Sequence, residues 1–274
     1  MKTGTLRIIL LVALSLLIVL PQAQFVRAEQ PGEGPLVASS LLEEAQEKAD
    51  LRDRLRNARP VPGTRAGEAP DPSQVSIAGP IERGILPTAD LVDAAYAYVQ
   101  PYREPNDWAH RNYCGPGAAI VLLSHWDPNY PREANIDQIG REMGIDPNMG
   151  VWVYRMVKPI NERLNQMLGQ ELNWYRYGEA RSLYDLRWMI DVDIRQTAAP
   201  FITALMTRGL PGWGSRNVGH IVAVYGYTQT ADGREYVNYV DTAPPIVGYN
   251  NWILNVWELN DFWRAVSGNS GQVW

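Results

Sequence analysis

The chain is nearly devoid of cysteine, histidine and phenylalanine, with one Cys, three His and three Phe in 274 residues. A lone cysteine excludes an internal disulfide framework, and three histidines restrict imidazole chemistry to His110, His125 and His220. An excess of positive charge is missing as well. The formal net charge of −5 argues against non-specific attraction to nucleic acid or to an anionic membrane. No HExxH pair is present. The glycines of GLPGWGSRNVGH, residues 209–220, have neither the Walker lysine nor the placement of a dinucleotide fingerprint. Abundant instead are tryptophan, tyrosine and proline, at 10, 14 and 20 residues. Such aromatic content can hold a core together without disulfides, or line a groove for peptide or sugar, and composition does not choose between these.

Residues 1–28 read as a secretory signal peptide. Lys2 and Arg7 precede an apolar run from Ile8 to Leu20, and Val26 and Ala28 occupy the small-residue positions before a cleavage point. The run is short for a membrane span of roughly 20 residues, and no later segment reads as one. Removing residues 1–28 takes away three cations and no acid, so the mature charge becomes −8. The expected product is secreted, extracellular or envelope-associated, with no stable membrane insertion. Residues 29–84 read as an N-terminal extension. A charged helix spans Ser39 to Asn57, with Ser40 and Glu43 as a capping box, and a Pro/Gly-rich linker runs from Arg59 to Pro80. This extension suits a pro-region, a spacer or a cap. The main domain is expected over 85–274.

Within that domain, helices are expected over Gly115–Trp126, Pro131–Met143 and Trp152–Leu168, with shorter elements at Leu183–Asp191 and Pro200–Arg208. The pattern then turns β-rich. HIVAVYGY at 220–227 and YVNYVD at 236–241 flank an Asp232-Gly233 turn and predict a hairpin. Trp252 to Val266 mixes aromatic anchors with a helix starting near Asn260. Helices followed by antiparallel strands point to an α+β fold.

The chemistry centres on Cys114. The run Asn112-Tyr113-Cys114-Gly115-Pro116-Gly117 turns into an apolar helix, and a helix N-terminus favours a thiolate. Pro116 needs no N–H donor at a first-turn position, and the Cys114 N–H can hold an oxyanion. Of the imidazoles, His125 sits at the far end of the same helix and His110 in a polar loop. His220 opens a strand after the glycine-rich turn and is the favoured base. That turn is expected to deliver His220, with Trp213 near the cleft. Asp241, ending the next strand, is the favoured group to orient the imidazole, with Asn238 on the opposite strand face as the alternative. For a side-chain oxyanion donor, Gln100 is chosen over Asn112, Asn106 and His110.

The segments YCGPGAAIVLLSHW at 113–126, GHIVAVYGY at 219–227, YVNYVDTAP at 236–244 and WELNDFWRAV at 257–266 resemble papain-like cysteine peptidases of the bacterial C39-like group. The resemblance covers roughly residues 95–266. It implies a papain-like α+β domain in which a Cys114 helix packs on an antiparallel sheet carrying His220. It also implies Cys114 as nucleophile, His220 as general base and acid, and Asp241 as orienter. Related domains often carry a glutamine shortly upstream of the cysteine. Positions 101–113 contain none here, which leaves Gln100 fourteen residues away.

The expected activity is hydrolysis of peptide, isopeptide or other amide bonds in a peptide or protein substrate, through an acyl-enzyme and with no cofactor or metal. Two readings compete: transpeptidation or other amide chemistry at the same site, and a non-catalytic peptide- or glycan-binding domain with Trp126, Trp152 and Trp213 on its surface. A metal site built on His110 and Cys114 lacks a compact second ligand pair.

Overall fold

The computed structural model describes residues 39–57, 91–269 and 271–274. The expected leader and the linker over 59–80 lie outside the described residues. An antiparallel sheet forms the spine. Its strands are β1 (Leu91–Tyr96), β2 (Tyr177–Gly178), β3 (Phe201–Met206), β4 (Gly219–Thr230), β5 (Glu235–Val240), β6 (Leu254–Glu258) and β7 (Gln272–Val273). The order is β2-β7-β3-β4-β5-β6, with β1 also on β4. Strand β4 serves three partners: its first half pairs with β3, its second half with β1, and its other edge with β5. The expected hairpin is present, although β4 runs to Thr230 and the turn is tighter than the sequence implied.

Both faces of the sheet are covered, so β4 reads as an almost continuous apolar run. Ile221 and Ala223 face the core beneath α2 (Cys114–Leu123), α3 (Glu133–Glu142) and α4 (Val153–Leu168). Val222 and Val224 face the opposite core, which holds residues of α5 (Leu183–Ile190) and α6 (Leu259–Val266). Helix α2 packs on β4, α3 and α4 at once, and every residue from Gly115 to Leu123 is buried. That central position accounts for the absence of any polar face in its sequence. The stretch Trp252–Val266 contains β6 before α6, where only aromatic anchors and a helix were expected. The architecture is thus helices packed on an antiparallel sheet, in agreement with the α+β expectation.

Helix α1 has the expected bounds, Ser39–Asn57, with Ser40 inside it rather than at its cap. It joins both cores, burying Leu41 and Ala45 in one and Leu55 in the other. Its Lys48 is fully buried, 2.5 Å from Asp193 and enclosed by the rings of Trp174, Tyr175 and Trp274. Glu44 accepts from Trp274 Nε1 at 3.0 Å, and Glu47 pairs with Arg176. No helix among the described residues is long and apolar enough to cross a membrane.

Candidate active site

Cys114 is the first residue of α2. Tyr113 precedes it with no side-chain cap, and the chain turns through the Gly117 N–H to Tyr113 carbonyl bond of 2.8 Å. The open first turn leaves backbone donors directed away from the helix, the arrangement that favours an anion there. Two glycines allow other parts of the chain to approach. A Cβ at Gly115 would stand 2.2 Å from Val151 Cγ1, and one at Gly117 would stand 2.6 Å from Thr242 Oγ1 and 3.1 Å from Glu104 Cγ.

His220 is the second residue of β4, and its Nε2 lies 2.9 Å from Asp241 Oδ1. With Nε2 so engaged, Nδ1 is the nitrogen left to face Cys114, whose sulfur favours the charged ring. The register explains the pairing of His220 with Asp241. Ala223 stands opposite Val240, so Asp241 falls beside Val222, two positions from His220 and on its side of the sheet. Asn238 stands opposite Gly226, deep in the sheet, and takes no part. Burial alone would lower the His220 pKa. The Asp241 carboxylate and the Cys114 sulfur overcome it and hold the imidazolium well above its ordinary range. Burial likewise opposes ionisation of Asp241, and the His220 charge with two further donors holds its carboxyl below the usual value. Those donors are Trp213 Nε1 at 2.8 Å and the Ala243 N–H at 3.1 Å. The Trp213 ring lies 4.8 Å from the His220 ring and shields the pair from water.

These groups lie in a cleft of about 870 Å³ lined by Cys114, His220, Glu104, Trp108, Met149 and Trp152, among others. Trp108 and Trp152 are 65% and 61% exposed, so the cleft rim is aromatic. Trp126 is buried away from the cleft, and Trp213 is buried but still lines it, so only Trp152 of the three is an exposed surface ring.

Of the oxyanion candidates, Gln100 is placed elsewhere. Its N–H donates to Ser124 Oγ at 2.7 Å, at the opposite end of α2. Ten residues of helix rise put that point about 15 Å from Cys114. Asn106 Oδ1 accepts from the Ile246 N–H, and Asn112 Nδ2 donates to the Pro147 carbonyl, so both serve loop structure. His110 is held between Asp107 and Asp137 at 2.8 and 2.9 Å, which leaves neither ring nitrogen for a base or ligand role. His125 Nδ1–H donates to the Tyr98 carbonyl at 2.8 Å, and burial pushes its pKa down to about 4. Among the described residues no cluster of three His, Cys, Asp or Glu side chains could hold a metal ion.

The residue that sequence reasoning missed is Glu104. It lines the cleft, is 3% exposed, and has Thr242 Oγ1 donating to its Oε1. Its N–H donates to the Thr242 carbonyl at 2.9 Å, fixing the loop beside the strand that ends in Asp241. Burial, aided by the Asp241 charge, raises its carboxyl to about 7 against the opposing pull of Thr242, His220 and His110. Nothing in PYREPNDW marks this acid. A charged residue between loop-forming neighbours reads as solvated.

No family model matches the chain, and no curated protein matches it. Among solved structures, it is similar to the bromelain protease from Ananas comosus in complex with an inhibitor, at 12% identity and a TM-score of 0.38. That match covers 64% of this chain and 92% of that one. It is likewise similar to a recombinant stem bromelain precursor, at 12% identity and a TM-score of 0.38, covering 87% of this chain and 93% of that one. Likenesses this remote leave the reading of the site to its own geometry.

Proposed function

We propose that this chain is a cysteine peptidase, hydrolysing peptide or isopeptide bonds through Cys114, His220 and Asp241. The observation that carries the reading is the grouping itself: a helix-end thiol and a buried imidazole lining one substrate-sized cleft, with a buried carboxylate hydrogen-bonded to that imidazole behind them. Asp241 fixes Nε2, so Nδ1 exchanges the proton with the thiol. The thiolate attacks the carbonyl carbon and the π electrons move to oxygen. The oxyanion collapses and expels the amine, which takes its proton from the imidazolium. Water then attacks the thioester, giving one proton to His220, and the acid product leaves as the thiol re-forms. The exposed Trp108, Met149 and Trp152 suit apolar or aromatic side chains flanking the scissile bond. The N-terminal pattern supports a secreted or envelope location, and the motif order supports the C39-like group within the papain-like peptidases.

The test is a mixed peptide library digested by the full chain and by Cys114→Ala, read by mass spectrometry with and without hydroxylamine. Cleavage lost in the variant supports the peptidase. Hydroxamate products in excess of acids would turn the reading toward acyl transfer at the same site. A library untouched by the wild-type chain, with no alkylation of Cys114 that depends on His220, would overturn the thiol mechanism.

A further inference from the structure

The cleft contains a buried carboxyl that the relay above does not use. Glu104 makes no salt bridge among the described residues, and the two imidazoles that act on it, His220 and His110, are paired with other carboxylates. Arg103, the nearest cation in sequence, is spent on the carbonyl oxygens of Ala243 and Asn251 at 2.7 and 3.1 Å. A carboxyl that is buried and unpaired with a cation is held as the acid rather than the anion. The local hydrogen bonds also fix where the proton sits. With Thr242 Oγ1 donating to Oε1, Oε2 is the oxygen left free to carry the proton. Glu104 Cγ packs against the bare Cα of Gly117, one turn along α2 from Cys114 and on the same face. The acid therefore borders the first turn of the helix that Cys114 opens, and the two residues line the same cleft. The amide that would ordinarily be sought there, Gln100, is at the other end of α2.

Building on the thiol-peptidase reading, we propose that Glu104 acts as a neutral carboxylic acid whose Oε2 hydroxyl donates a hydrogen bond to the substrate oxygen as negative charge develops on it. The Cys114 N–H supplies the second donor. No proton is transferred in this step. The O–H bond of Glu104 stays intact while the carbonyl becomes an oxyanion, and the hydrogen bond relaxes when the carbonyl re-forms. The titratable groups facing Glu104 are His220 from β4, Asp241 beyond β5, His110 and Tyr102 from the loop before α2, and Cys114 from α2 itself. The negative charge of Asp241 favours the acid form, and the cationic His220 and His110 oppose it. Burial decides the balance, with the group titrating at about 7. The sign follows: activity carried by the acid form is full below that value and is lost as pH rises through it.

The experiment uses two probes on the full chain between about pH 5 and 9: the acylation burst with p-nitrophenyl acetate, which forms an oxyanion, and alkylation by iodoacetamide, which forms none. In the wild-type chain the burst rate should fall about tenfold per pH unit on the alkaline side, while alkylation does not fall. Glu104→Gln supplies an amide donor that cannot ionise, so its burst rate should show no alkaline decline. Glu104→Leu should lose about 10²–10³-fold in acylation at every pH and keep its alkylation rate. Superimposable pH profiles for wild type and Glu104→Gln would overturn the proposal. So would acylation by Glu104→Leu within about threefold of wild type. Failure of the underlying reading has a different signature, namely Cys114 alkylation that is absent or indifferent to His220→Ala, and it would sink both ideas together.

Discussion

Replacing Lys48 with methionine should destabilise the fold by about 3–5 kcal/mol near pH 7.5, although Lys48 is far from the cleft lining. Lys48 and Asp193 are each fully buried and 2.5 Å apart, and Asp193 Oδ2 has no other hydrogen-bond partner. The ammonium also lies 4.4 and 4.7 Å from the ring centroids of Trp174 and Trp274. Burial lowers Lys48 to about 8 and raises Asp193 to about 6, each against the pull of its partner. Both shifts have the sign of a pair for which desolvation outweighs attraction, so the pair adds little net stability. Losing one member nevertheless strands the other. Lys48→Met leaves a bare carboxylate among three aromatic rings. Its folded pKa lies above its unfolded one, so stability is retained at acidic pH and lost as pH rises through the folded value. The deficit should therefore shrink near pH 5. Lys48→Met combined with Asp193→Leu should recover to within about 1 kcal/mol of wild type. Urea unfolding followed by tryptophan fluorescence at both pH values measures this. A single variant within about 0.5 kcal/mol of wild type, or a double variant as unstable as the single one, would refute the reasoning.

Two further outcomes follow from the site. Asp241→Asn should lower kcat by about 10²–10⁴-fold, because the amide must turn an N–H toward Trp213 Nε1–H if its oxygen is to keep His220; adding Trp213→Phe removes that donor–donor clash and should restore part of the loss, and steady-state kinetics on one cleaved peptide decides it. Gly117→Ala should gain about 1 kcal/mol of helix propensity and lose about 1–3 kcal/mol to overpacking against Thr242 and Glu104; it should depress acylation while leaving Cys114 alkylation in place, and equal loss of both would show instead that α2 itself has moved.

The grouping of Cys114, His220 and Asp241 was legible because each member carried a local signal. Cys114 is the one cysteine, set at a Gly-Pro helix start. His220 lies on one strongly patterned strand and Asp241 directly follows another, and the register of the two strands follows from a short turn. The remaining strands carry weaker signals. β1, LVDAAY, has the composition of a helix and becomes a strand because the far half of β4 offers it an open edge between Gly226 and Thr230. β2 and β7 are two residues each and exist only as extensions of β3. Gln100 was chosen for its amide group, but position is set by the loop, and the loop places Gln100 against Ser124. Glu104 and Lys48 were illegible for one reason: each is a charged residue buried by partners 138 and 145 positions away, and no window of sequence contains both halves.

The two buried carboxyls nearest His220, Asp241 and Glu104, give the clearest physical argument for the division of labour. Asp241 accepts three donors and is held ionised, and Glu104 accepts one and is pushed toward the acid. Thiolate, imidazolium and Asp241 together carry one net negative charge, and attack on a carbonyl moves that charge from sulfur to oxygen without changing its amount. An ionised Glu104 would add a second negative charge beside the atom where the first must settle, raising the barrier at a site sheltered from water. A neutral Glu104 instead meets that atom with a donor. Paired groups whose surroundings push their protonation apart assign their own roles. In the proposed mechanism Asp241 orients and balances the imidazolium, and Glu104 is left as the group able to receive the charge that Cys114 gives up.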